Sequence, residues 1–130
     1  MMKRFWACLY VCAGASLWVA CSHKDDGEQA RRAAMSYYEC LIDGRYEEYV
    51  NGIAYSDSMT DVYRSQMVDL VAQFAAREKK AHGGVIAAQA LRDTVSGDVA
   101  SVFLEVLFGD STREEVVVPM VKCGGEWKMQ

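Results

Sequence analysis

The second half of the chain changes its hydrophobic period, and that change restricts the fold more than any other feature. In "VASVFLEVLF", residues 99–108, the positions Ala100, Val102, Leu104, Val106 and Phe108 alternate with their neighbours and therefore share one face of a strand. The turn signals "SGD" at 96–98, "GDST" at 109–112 and Gly124-Gly125 separate this run from "GVIAAQALRD", "REEVVVPMVK" and "EWKMQ", which read as three further strands. Connections this short join antiparallel neighbours, so the four strands form a meander. Pro119 lacks a backbone donor and is expected at an edge or at a bulge that bends the sheet.

The first half has a helical period. From Glu28 to Asp43, Ala30, Ala34, Tyr37 and Leu41 recur at three- and four-residue steps, and Gly44 stands where a left-handed cap is easiest. A short second helix carries "RYEEYVNGIAY", with Tyr46, Tyr49, Val50 and Ile53 on one side. A third begins at Ser58 or Thr60, either of which can cap it, with Asp61 in its first turn. Its stripe, Tyr63, Met67, Leu70, Val71 and Phe74, is expected to be buried, and "HGG" at 82–84 ends it. The fold class is α+β: three N-terminal helices packed on a curved four-stranded antiparallel meander sheet, a cone with one open end.

What precedes the helices reads as a targeting segment. Lys3 and Arg4 form a positive start, and "FWACLYVCAGASLWVA" then runs from Phe5 to Ala20 without a charge. Sixteen helical residues span roughly 24 Å, short of the roughly 30 Å hydrocarbon core, so a cleaved leader fits better than an anchor helix. The expected organisation is a leader over 1–20, a polar tether over 21–28 after a lipidated Cys21, and the folded domain over 29–130. Without Lys3 and Arg4 the chain keeps 12 basic residues against 18 acidic ones, a net charge of about −6. Phosphate binding needs a positive field, so nucleic acid is not expected as a partner. Of the five cysteines, Cys40 and Cys123 remain for the domain, either as a pair or as two buried hydrophobes.

Two resemblances rest on these motifs. Ala20-Cys21, with Val19 and a displaced Leu17 before it, resembles the lipobox of bacterial lipoproteins. That resemblance implies a diacylglycerol on the Cys21 sulfur and attachment to a membrane. The following "SHKDD" resembles the acidic export signal of lipoproteins of the Bacteroides group, which implies the outer membrane. The succession "AAMSYYECLIDGRYEEYVNGI", "HGGVIAAQALRD", "SGDVASV" and "GEWKM" resembles an uncharacterised lipoprotein family with a nuclear-transport-factor-2-like, or cystatin-like, cone. The family has no established activity, so this resemblance implies a fold and an address.

Function has to be read from the site. An isomerase- or cyclase-like enzyme needs a titratable group inside the cone, and the residues do not supply one. His23 lies in the tether, His82 at a helix end, and Glu105, between Leu104 and Val106, points away from the cone by alternation. No catalytic residue, metal site or cofactor is expected. A small-molecule or protein binding module is the leading expectation, with Tyr37, Tyr49, Phe74 and Trp127 as candidate pocket residues for a small apolar or amphipathic ligand, set against a cone that Phe74, Trp127 and the strand valines simply fill. The alternative is an interaction domain: Phe103 and Leu107 place apolar side chains on the sheet's outer face, where a homodimer is the simplest cover.

Overall fold

The structure, a computed structural model, describes residues 17–130, with side chains from Asp26 onward; residues 1–16 and the side chain of Cys21 lie outside the described residues. The described elements are α1 (Leu17–Ile42), α2 (Tyr46–Asn51), a 3-10 turn (Ser56–Ser58), α3 (Asp61–His82), β1 (Val85–Ser96), β2 (Val99–Phe108), β3 (Arg113–Cys123) and β4 (Glu126–Met129). The strands pair in sequence order, each antiparallel to the next. The α+β meander expected from the sequence is what forms.

The core lies between α1 and the inner face of the sheet. Ala30 and Ala34 are fully buried against Val102, Leu104, Val118 and Met120, and their small side chains let helix and sheet approach closely. Gly44 takes φ of 78°, and the Arg45 N–H donates to the Cys40 carbonyl at 2.8 Å, closing α1 as its sequence predicts. At the other end, within the described residues, α1 runs from Leu17 and includes the stretch 21–28. Contacts explain why Asp26 and Gly27 join the domain: Lys122 Nζ donates to Asp26 Oδ1 at 3.0 Å. Gly27 lies beneath Asp93, where a Cβ would come within 2.4 Å of a carboxylate oxygen, and Arg31 pairs with the same Asp93.

The sheet bends in β1. Its register against β2 shifts between Val85 and Ala87 and again between Ala90 and Arg92, whereas β2 and β3 pair without a shift through Ser101 and Pro119. Pro119 therefore makes no bulge. Its carbonyl accepts from Gln130 N–H at 2.9 Å, so its missing donor faces the end of the four-residue β4, where no ladder bond is lost. Cys40 is buried, Cys123 is half-buried, and both are free thiols.

The third helix is the surprise of the fold. Thr60 caps it, its Oγ1 accepting from Tyr63 N–H at 3.2 Å, and Arg64 ties its first turns to the Asn51 side chain and the Ser56 carbonyl. At the far end Gly83 caps it with φ of 81° and packs directly on Gly109. A Cβ on Gly109 would lie 2.4 Å from the Gly83 carbonyl oxygen. Gly109 N–H donates to Gly84 O and Asp110 N–H to His82 O, both at 2.8 Å. Between these anchors α3 has no buried residue: the stripe expected to pack is held off the sheet, with Leu70 56% exposed and Phe74 42% exposed. A helix fixed only at its ends cannot settle onto the sheet without breaking those contacts.

This arrangement separates two leucines that a simple core would treat alike. Leu104→Ala, at a fully buried position, is expected to cost about 2–5 kcal/mol. Leu70→Ala on α3 should stay within about 0.5 kcal/mol. Urea unfolding of the two variants checks this, and equal losses would mean that α3 is packed.

Candidate functional site

The stand-off of α3 leaves a cavity of about 480 Å³ between that helix and the cone. α3 contributes Leu70, Val71, Phe74 and Glu78, which with Met67 follow helical spacing and so share the face turned to the sheet. The floor is Val85, Val106, Phe108, Glu114 and Val116 from three strands, and α1 and α2 close the side with Tyr38, Leu41 and Tyr49. The space extends past Phe74 toward Gly83-Gly84 at one end, and past Tyr38 and Tyr49 toward Met67 and Met129 at the other. A groove thus runs the length of the helix's underside.

Of the four pocket residues expected from the sequence, the structure brings Tyr49 and Phe74 together in this cavity. Tyr37 and Trp127 lie elsewhere. Trp127 is buried in the core with its indole N–H unpartnered among the described residues, and Tyr37 O–H donates to the Trp127 carbonyl at 2.6 Å. The Tyr37 ring packs on Gly52, where any Cβ would come within 2.4 Å of it. These two residues join α1, α2 and β4. Tyr38 takes the place in the cavity wall that Tyr37 does not, because adjacent helical positions are turned by about 100°.

The polar groups of the cavity are few. Tyr38 and Tyr49 meet edge to face, with ring centroids 6.4 Å apart at 81°. Burial pushes the Tyr38 phenol up to about 12, with Tyr49 and then Glu114 adding to the shift, and burial raises Tyr49 as well. Both hydroxyls therefore stay protonated at neutral pH and can donate. Glu78 and Glu114 complete the set, and neither makes an ion pair among the described residues. Sequence reading missed both acids, although a signal existed. Glu114 sits in register with inward-facing Val116, Val118 and Met120, and Glu78 continues the α3 stripe one turn beyond Phe74.

Asp43, Tyr46 and Lys79 line the extension toward Gly83-Gly84, whereas His82, Asp110 and Glu105 lie away from the cavity. His82 Nδ1 is 3.2 Å from Asp110 Oδ2 at the carboxyl end of α3. Asp110 is held below the usual carboxylate range, first by its hydrogen bonds from Thr112 and then by His82. Glu105 lies on the outer face and pairs with Arg113 at 2.8 Å. No cluster of three metal-ligating side chains occurs among the described residues.

Phe103 and Leu107 also lie on the outer face, half-buried there. The Arg92 guanidinium sits 4.2 Å above the Phe103 ring and pairs with Glu115 at 2.7 Å. Ion pairs thus interrupt the apolar strip that sequence alternation placed on that side. Among the described residues no helix is long and apolar enough to cross a membrane.

Comparison with known proteins establishes the fold. No family model matches the sequence, and no curated protein matches it. A crystal structure from Campylobacter jejuni, provisionally named an NTF2-like transpeptidase, is similar with a TM-score of 0.59 at 23% identity, covering 74% of this chain and 92% of that one. A solution structure of a SEC-C motif protein from Rhodopseudomonas palustris gives a TM-score of 0.52 at 13% identity, covering 75% and 72%. The chain has the NTF2-like cone fold, and at these identities the likeness extends no further.

The tyrosines set an alkaline limit on stability. The Tyr38 pKa is raised on folding to about 12, so its contribution is fully present below about pH 10 and is lost as pH rises toward 12, and burial shifts Tyr49 in the same direction. Tyr38→Phe should flatten part of that loss in urea unfolding measured between those pH values. An unchanged alkaline limb in the variant would mean that Tyr38 is solvated.

Proposed function

We propose that this chain is a lipid-anchored outer-membrane protein whose cone holds a small apolar or amphipathic ligand beneath α3 and performs no chemistry on it. The observation that carries the binding reading is the cavity itself. A helix of 22 residues with none buried leaves an apolar space lined by aromatic and branched side chains, with only a few polar groups converging on it. The two tyrosines, kept protonated, orient a ligand and do not abstract a proton from it.

The anchor reading is supported by the uncharged run before Ala20-Cys21 and the polar stretch after it. Two or three acyl chains at about 0.8 kcal/mol per buried methylene hold a protein to a bilayer without a spanning helix. The tyrosine and leucine of α1 that wall the cavity lie roughly 20 Å along the helix from Asp26, at 1.5 Å per residue. The cavity therefore stands off from the end of the domain at which a lipid would be attached.

Nuclear magnetic resonance of the full chain in lipid nanodiscs, titrated with 1-octanol, tests the binding reading. Shifts are expected at Tyr38, Tyr49, Leu70 and Phe74, with Tyr37 and Trp127 unaffected. Shifts confined to Phe103 and Val117, or none, would contradict it. In the same cells, Cys21→Ser should abolish acylation seen by mass spectrometry and release the protein from the membrane fraction, and retention of both would remove the anchor.

A further inference from the structure

The cavity carries a charge preference, and its reading rests on the ligand-binding proposal above. The groove-facing stripe of α3 runs Met67, Leu70, Val71, Phe74 and then Glu78. The inward series of β3 runs Glu114, Val116, Val118 and Met120, with Glu114 opposite Val106 and Val116 opposite Leu104. In each element an acid takes the position where the pattern calls for an apolar side chain. Both acids belong to the same end of the cavity, since Glu78 lies five residues before Gly83 and Glu114 five after Gly109, the two glycines that touch. Elsewhere on the sheet the acids Glu105 and Glu115 are neutralised by arginines, but among the described residues these two make no ion pair, and Lys79 lines only the adjoining space toward Gly83-Gly84.

Chemistry then limits what fits. An anionic head would meet two like charges, and a neutral body would leave both carboxylates without a partner. A cationic head gains both, and Glu114 is exposed, so the head sits at the mouth where little desolvation opposes the pairing. The Tyr38 and Tyr49 rings add aromatic surface against the apolar body. We infer that the ligand is an amphipathic cation, with its apolar body beneath Leu70 and Phe74 and a single ammonium-type head at the Glu78 and Glu114 end.

Three probes of equal chain length separate this inference from the proposal it rests on: octyltrimethylammonium, 1-octanol and octanoate, each titrated against the full chain in lipid nanodiscs, with empty nanodiscs as the blank. The cation is expected to bind about tenfold tighter than octanoate, as partly solvated charge pairs allow. The double variant Glu78→Gln/Glu114→Gln should bring the two within about twofold while still binding octanol. Retained octanol binding also shows that the variant cavity is intact. Octanol binding without a preference for the cation in the parent chain would overturn the inference and leave the ligand-binding proposal standing. A cation preference that survives in the double variant would overturn the assignment to these acids. Failure of all three probes to bind would remove both.

Discussion

The backbone contact between Gly83 and Gly109 is the constraint on which the rest of the domain depends. It fixes the carboxyl end of α3 to the β2–β3 turn at a separation that excludes a Cβ on Gly109, while Gly83 is held by its positive φ and a tight contact. Arg64, reaching Asn51 and the Ser56 carbonyl, fixes the other end. The helix is therefore suspended, and its length follows from the two anchors, not from burial. α1 is held in the opposite way, with its alanines pressed onto β2 and β3 and its tyrosine joined to Trp127. One helix makes the core and the other makes the roof.

Much of this was legible in the sequence because it depends on local rules. The alternation of β2, the glycine turns, the Thr60 cap and the Gly44 and Gly83 stops each follow from neighbours within a few residues. The stand-off of α3 was not legible. Hydrophobic period shows which residues share a face, but not whether another element reaches that face. Tyr37 and Tyr38 show the same limit at single-residue scale. They are adjacent and chemically identical, and only the placement of α2 and β4 sends one to Trp127 and the other to the cavity. Glu78 and Glu114 lay in plain view as acids in apolar registers, but their meaning required knowing that the two registers meet.

Suspension also accounts for the character of the site. A filled cone would bury the α3 stripe and gain roughly 25 cal/mol for each Å² of apolar surface removed from water. That gain is forgone here, so any apolar body entering the groove recovers part of it. The cone keeps its own core elsewhere, in Leu104, Val118, Met120 and Trp127, so an empty groove does not threaten the fold. Stability and binding surface occupy different halves of the same sheet.

Native-state hydrogen exchange, resolved by residue, tests the suspended helix most directly. Amides of α3 from Met67 to Ala75 should exchange through local opening, well ahead of those from Ala30 to Leu41 in α1 and of β2, which should open only with global unfolding. Protection of α3 equal to that of α1 would show a packed helix and a closed cone, and the cavity would not exist in solution.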